Sequence, residues 1–163
     1  MNAIIYRPII SDETYFLKEM LWEAIFLPAE TKCKLTKALL EHPDIRKYYS
    51  DWGRTGDAAI VAVKQQTGTL TGCAWGRLFN ADDKGYGYID EETPELSIAV
   101  DPAFRNRGIG KKLLQELIND YRKNGYSKLS LSVHKDNPSL RLYLRTGFKI
   151  CAEKEDSLVM QYQ

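Results

Sequence analysis

Cysteine is scarce and poorly placed for chemistry. Cys33, Cys73 and Cys151 are widely spaced, odd in number and form no CxxC pair, which argues against a disulfide framework and against a thiolate zinc site. They read as buried or idle thiols, and a reducing, cytoplasmic setting is the expectation. No run of residues has the length or purity of a membrane-spanning helix, so no membrane partner is expected. The opening Met1-Asn2-Ala3-Ile4-Ile5-Tyr6-Arg7-Pro8 lacks a basic region followed by a long apolar run and a small-residue cleavage site, and secretion is not expected. Charge imbalance is missing too. Lys and Arg number 23 against 22 Asp and Glu, a formal net charge of +1, which offers nucleic acid no extended positive face. Any anion site must be local. His42 and His134 are far apart and no HExxH or Ser-His-Asp pattern accompanies them, so no metal is expected and neither histidine is given a role.

What is present fits one domain over residues 1–163. At 163 residues, 44% apolar and 28% charged, the chain is long enough to bury a core without covalent staples. Tyr6 to Ile10 reads as a strand. Ser11 or Asp12 is then placed to cap a helix to about Leu27, with Phe16, Leu17, Met20, Leu21 and Ala24 on one face and Pro28 as its stop. A second helical stretch runs from Ala29 to Glu41, bounded by Pro43, and a polar loop follows from Asp51 to Asp57. Ala58 to Val63 and Thr69 to Phe79 flank the turn Gln66-Thr67-Gly68 as an antiparallel hairpin. Asn80 to Pro94, glycine-containing and acidic, reads as a loop.

Glu95-Leu96-Ser97-Ile98-Ala99-Val100 alternates and stops at Asp101-Pro102, as a strand does. Ile109, Leu113, Leu114, Leu117, Ile118 and Tyr121 then repeat at helical spacing up to Asn124-Gly125. Leu129, Leu131 and Val133 alternate as a strand, Asn137-Pro138 reads as the N-cap and first residue of a short helix, and Gly147 closes it before Phe148 opens a final hairpin, completed by Cys151 to Tyr162. The fold class expected is mixed α/β: a mostly antiparallel sheet of about six to seven strands flanked by helices.

Arg105-Asn106-Arg107-Gly108-Ile109-Gly110-Lys111-Lys112 lies between a strand and an amphipathic helix, where free N–H groups at a helix start can face a pyrophosphate. Arg105, Arg107, Lys111 and Lys112 cluster there, although cations at a helix N-terminus are unfavourable by roughly 0.3–1 kcal/mol each. A bound anion reverses that sign. A Rossmann reading fits less well, because the next strand ends in Val133-His134-Lys135 rather than in an acidic residue. The pattern Arg105-x-x-Gly108-x-Gly110 resembles the (Gln/Arg)-x-x-Gly-x-(Gly/Ala) signature of the GNAT acetyltransferases. Asn137-Pro138-Ser139-Leu140-Arg141-Leu142-Tyr143-Leu144-Arg145-Thr146-Gly147-Phe148 resembles their second block, an Asn, a short helix carrying Tyr, then Gly-Phe.

The resemblance implies an acetyl-CoA-dependent N-acetyltransferase with the GNAT fold. It places acetyl-CoA against Ile98, Ala99, Val100, Arg105, Asn106, Arg107, Gly108, Ile109, Gly110, Lys111, Asn137 and Tyr143, the strand Ile98 to Val100 offering its backbone to the pantetheine arm. Tyr143 is the candidate acid for the departing thiolate, since its reference pKa of about 10 lies above the roughly 8.5 of a thiol; core packing on a face shared with Leu140 and Leu144 is the alternative. Glu95 holds the strand position where many GNAT enzymes carry a base, on the side opposite the Leu96, Ile98, Val100 row; a solvated strand-end Glu is its alternative. Asn137 reads equally as a cap. Backbone N–H on the strand ending at Val100 is the natural oxyanion donor. No cysteine lies in either block, which favours direct transfer in a ternary complex.

The acceptor expected is a small-molecule or peptide amine. By the resemblance, Trp22, Phe26, Trp52, Trp75, Tyr86 and Tyr88 lie in segments that wall its side of the cleft, though most serve equally as core. The loop Asp82-Asp83 to Asp90-Glu91-Glu92, with Gly85 and Gly87, reads as a mobile lid for a cationic amine or as a solvated loop. Arg77 and Arg54 are alternatives for holding an acceptor carboxylate. A non-catalytic acyl-CoA-binding sensor is the competing class, and exposed edge strands leave a homodimer open.

Overall fold

The computed structural model describes residues 3–163; Met1 and Asn2, the start of the stretch read above for a leader, lie outside it. Its frame is a seven-stranded mixed sheet of order β1-β2-β3-β4-β5-β7-β6. The strands are β1 (Ile4–Pro8), β2 (Ala58–Lys64), β3 (Leu70–Arg77), β4 (Glu95–Val100), β5 (Leu129–His134), β6 (Lys149–Glu153) and β7 (Ser157–Tyr162). Every pairing is antiparallel except β4 with β5. That exception follows from the connection: a strand, a helix and a strand in succession return the chain in the same direction. The intervening helix is α4 (Ile109–Lys123).

The first helical stretch is shorter and more broken than its periodicity implies. Ser11–Glu13 is a 3-10 turn, capped by backbone at Ile10, and neither Ser11 nor Asp12 caps a helix; the Glu13 carboxylate instead accepts from Ile10 N–H and from Arg7. α1 (Tyr15–Ala24) then stops before Leu27, because Ile25 is extended and Lys32 Nζ takes the carbonyls of Trp22 and Ile25 at 2.8 and 3.1 Å. The stretch Ala29 to Glu41 is likewise not one helix. It divides into α2 (Ala29–Lys34), an extended Leu35-Thr36 link and a 3-10 turn, Lys37–Glu41, before α3 (Pro43–Arg46). The 58–77 hairpin and the 80–94 loop form as expected. Asn137 caps a turn ahead of α5 (Leu140–Thr146), whose own N-cap is Ser139.

Strand alternation sends apolar residues to both faces. On one, α4 buries Leu113, Leu114, Leu117 and Tyr121 against Ile60, Ala74, Leu96, Leu129 and Leu131, with Tyr143 and Phe148 of the α5 region. On the other, α1 lays Phe16, Leu17, Met20 and Leu21 on Val61, Cys73, Trp75 and Ala99. Gly76 is the close approach of the first layer: a methyl group there overlaps the Tyr121 ring, whose hydroxyl donates to Gly56 O at 2.8 Å.

Candidate functional site

The two central strands separate where they would otherwise pair. β5 meets β4 in register only at Glu95↔Ser130, with Ser130 N–H donating to Pro94 O at 2.9 Å. Asp101 N–H donates to Thr71 O. With the register Gly72↔Val100 through Arg77↔Glu95, that bond turns the peptide groups of Glu95, Ser97 and Ala99 toward β3 and those of Leu96, Ile98 and Val100 toward β5. Ile98 and Val100 therefore face the gap, where Val100 O accepts from Arg105 Nε at 3.0 Å. Ala99 spends its peptide groups on β3 and only lines the cleft. The gap opens into a cleft of about 1350 Å³ that reaches α4, α5, the α1–α2 connection and Tyr86.

The turn before α4 is shaped for an anion. Asn106 and Gly108 have φ of +61° and +78°, and Gly108, the helix N-cap, has nothing within 4 Å of where a Cβ would stand. Among the described residues, N–H of Arg107, Gly108, Ile109, Gly110 and Lys111 finds no protein acceptor; the first taken is Lys112, by Gly108 O. Such a run of unpaired N–H groups is a nest, and the helix dipole adds to it. Gly110 differs: a Cβ there would make ordinary contact with Val100 Cγ2 at 3.7 Å, so packing of helix on strand does not require this glycine. Of the cluster's cations, Arg105 pairs with Glu23, Arg107 lies over Phe104, Lys112 pairs with Glu116, and Lys111 lines the cleft.

Tyr143 is buried on α5 with its ring edge-on to Phe148; Leu144 on the same helix is exposed, so the face is narrower than Leu140, Tyr143 and Leu144 together. Its hydroxyl has no hydrogen-bond partner among the described residues, and burial raises its pKa well above the usual phenol value. Asn137 Oδ1 accepts from Ser139 N–H at 2.9 Å, which leaves its amide NH2 for the cleft it lines.

Glu95 is buried at 3% exposure, at the base of the cleft. Desolvation pushes its pKa up to about 7; a Tyr48 hydrogen bond, the Gly87 N–H and the charges of Lys47 and Lys154 oppose that rise. A carboxyl poised near neutrality is matched to taking a proton at physiological pH. The 80–94 loop is no free lid. Gly87 N–H donates to Glu95 Oε1, Tyr86 N–H to Tyr48 Oη (2.7 Å), Lys154 Nζ to Tyr86 O and Lys47 Nζ to Lys84 O. Gly85 is needed because a Cβ there would come within 2.6 Å of Glu95 Oε1.

Comparison with known proteins settles the family. The model of the acetyltransferase (GNAT) family matches residues 18–148. The chain belongs to the GNAT family. An L-methionine sulfoximine/L-methionine sulfone acetyltransferase of Salmonella typhimurium is 33% identical over 94 residues, 57% of this chain and 52% of that one. A ribosomal protein bS18-alanine N-acetyltransferase of Haemophilus ducreyi is 44% identical over 61 residues, 37% of this chain and 41% of that one. The chain thus spans about half the length, or less, of these curated relatives. Among solved structures, PaiA N-acetyltransferase from Thermoplasma acidophilum in complex with coenzyme A shares the fold, at TM-score 0.65 and 21% identity, covering 99% of each chain. A GNAT superfamily phosphinothricin acetyltransferase from Sinorhizobium meliloti in complex with acetyl-CoA does so at TM-score 0.66 and 21% identity, covering 99% of this chain and 88% of that one.

Within this GNAT chain several of the residues weighed for the acceptor are otherwise engaged. Arg77 is buried, bonds Asp57 at 2.7 and 2.8 Å and donates to the carbonyls of Lys47, Ser50 and Asp51; it has no capacity left for a substrate carboxylate. Arg54 is exposed beside Asp51. Trp75 is core, Trp52 stacks on Arg77, and Trp22 and Tyr88 lie under Lys32 and Lys84; only Phe26 and Tyr86 of that set line the cleft. His134, given no role from sequence, lines it too, with its ring 5.2 Å from that of Phe26. Tyr48 carried no sequence signal beyond a tyrosine pair at the end of a short helix. Its contact with Glu95 exists only through tertiary folding, with Trp75 Nε1 holding Tyr48 O at 3.0 Å. No helix among the described residues is long and apolar enough to cross a membrane, and no group of three His, Cys, Asp or Glu there is placed to hold a metal ion.

Proposed function

We propose that this GNAT chain transfers the acetyl group of acetyl-CoA to a primary amine of a small molecule or peptide, by direct attack in a ternary complex. The observation that carries the reading is the convergence on one cleft of the open β4 edge, the unpaired N–H groups of α4, the unpartnered hydroxyl of Tyr143 and a carboxyl near neutrality. Acetyl-CoA supplies the activated thioester. Ile98 and Val100 hydrogen-bond the pantetheine arm as an added strand, and residues Arg107 to Lys111 receive the pyrophosphate with Arg105 and Asn106 shaping the turn. Asn137 contacts the same arm from the α5 side.

Glu95 takes the proton that the ammonium group must lose, directly or through a water, and holds the amine by charge. The β4 N–H groups facing the gap stabilise negative charge on the acetyl oxygen. Tyr143 keeps its proton at neutral pH and gives it to, or shares it with, the leaving sulfur. Residues 1–163 act as one domain in the cytoplasm, without metal, nucleic acid or membrane. A sensor that only bound acyl-CoA would have no use for a buried carboxyl poised to titrate at the base of the cleft.

Tyr143→Phe removes one hydroxyl that bonds nothing in the protein. It is expected to lower kcat by about tenfold or more while leaving acetyl-CoA affinity and the unfolding midpoint near those of the native chain. Steady-state thiol release and calorimetry check this; unchanged kcat removes Tyr143 from the chemistry.

A further inference from the structure

The turn that follows α3, residues 47–51, is fastened to the sheet by two side chains of β3. Trp75 Nε1 donates to Tyr48 O at 3.0 Å, and Arg77 donates to the carbonyls of Lys47, Ser50 and Asp51 at 2.9, 2.5 and 3.3 Å. Buried donors that lost these acceptors would be left unpaired, so the turn is held to one place. Arg77 and Glu95 are register partners on β3 and β4. The clamp and the carboxyl therefore start from the same point of the sheet, and the turn sets the buried Tyr48 side chain beside the buried Glu95.

Two consecutive peptide groups of the 80–94 loop bind this pair. Tyr86 N–H donates to Tyr48 Oη at 2.7 Å, and Gly87 N–H donates to Glu95 Oε1. A phenol has one proton and accepts through its lone pairs. With the Tyr86 N–H on its oxygen, Tyr48 has its proton for Glu95, to which it is hydrogen-bonded. Burial and the neighbouring Glu95 charge hold the phenol well above its usual range, so that proton stays in place at neutral pH. The Tyr48 ring stacks at 9° on that of Tyr86, which is half-exposed on the cleft wall.

The other charged and titratable groups around Glu95 do not bond it. Lys47 is held by Asp83 and Lys84 O, Lys154, from the turn between β6 and β7, by Tyr86 O, and Arg77 by Asp57. His134 of β5 lines the same cleft, and its Nδ1 accepts from Asp136 N–H. Both lysines act on Glu95 through charge alone, whereas Tyr48 and Gly87 N–H supply hydrogen bonds.

Resting on the reading of Glu95 as the base, we propose that Tyr48 is a positioning residue of the acetyl transfer: its hydroxyl orients the Glu95 carboxylate for the acceptor amine and ties it to the cleft wall at Tyr86. Two donors fix the carboxylate, and its remaining lone pairs are left for the ammonium group or a water between them. Glu95 accepts the proton that the ammonium group loses; Tyr48 keeps its own. A donor to the carboxylate favours the ionised form, the form that can take a proton.

The test reads Glu95 directly and through turnover, in the full chain. Carbon-13 NMR follows titration of the Glu95 carboxyl with no amine present. Tyr48→Phe is expected to raise the midpoint by about one pH unit, a tenfold change of the order set by one hydrogen bond to a charged group. A ring-fluorinated tyrosine in place of Tyr48 keeps the ring and hydroxyl, and with them the fold, but donates more strongly; its midpoint is expected to fall. The second reading is the ratio of kcat/KM between the native chain and Tyr48→Phe, in which titration of the amine itself cancels. It is expected to decline from about thirtyfold at pH 6 to about threefold at pH 9, with acetyl-CoA affinity unchanged. A purely structural residue would give a ratio independent of pH. An unmoved midpoint in both variants overturns the inference whatever the turnover. A moved midpoint with a pH-independent ratio also overturns it, and Glu95 then falls as the base. Failure of the acetyltransferase reading shows separately, as a native chain without turnover on any amine, and takes the inference with it.

Discussion

Glu95→Gln is expected to lower kcat by about a hundredfold or more, the order of effect of removing a positioned base, with little change in acetyl-CoA affinity. The pH profile makes the test specific. As the proposed base, Glu95 would act only when ionised, and burial raises its pKa to about 7, so kcat/KM of the native chain is expected to fall as pH drops below that value. The glutamine variant should lose this acidic limb. Stability moves with the opposite sign. The folded carboxyl keeps its proton between the ordinary carboxyl value of 4.5 and about 7 while the unfolded one does not, so this group costs the native chain stability as pH rises through that window. Glu95→Gln is therefore expected to unfold at a higher temperature than the native chain at pH 8 and to differ little at pH 4. A variant that kept native turnover, or kept the acidic limb, would remove Glu95 from proton transfer.

Gly108→Glu is expected to reduce acetyl-CoA affinity by about a thousandfold, since it sets a carboxylate into the open space above the nest proposed to receive the pyrophosphate. The fold should survive. At φ +78° a side chain costs about 1–2 kcal/mol of backbone strain, worth roughly 2–4 °C of midpoint per kcal/mol in a chain of this size. Gly108→Ala carries the same strain without charge. Its midpoint should fall equally and its affinity much less, which separates strain from electrostatic exclusion. Calorimetry and thermal unfolding on both variants check this, and native affinity in the glutamate variant would contradict the assignment of the turn.

Local signals were legible where one segment supplies both the geometry and the chemistry. The α4 turn is such a place, because glycines, cations and helix periodicity lie within Arg105 to Lys112. The alternation of Glu95 against Leu96, Ile98 and Val100 likewise put the carboxyl on the face away from α4, as the two cores confirm. Features that depend on distant segments were not legible. The splay of β4 from β5 leaves no trace in either strand. The expectation that Arg77 could meet a substrate failed because its partners are Asp57 and carbonyls of the 47–51 segment, distant in the chain. The acidic loop reads as a solvated loop or a mobile lid because its glycines and carboxylates give no sign of a distant partner; here Gly85 and Gly87 instead let backbone lie directly on Glu95. Helix periodicity overran its ends for a related reason. Ile25 and Phe26 fit the apolar pattern of α1, but their segment turns away to wall the cleft.

Titration of the purified chain with acetyl-CoA, followed by release of free thiol on adding amines, tests the central claim most directly. Micromolar binding and amine-dependent thiol release are the expected results. Absence of acetyl-CoA binding would contradict the account at its root, and binding without release for any amine would leave the cleft a receptor rather than a catalyst.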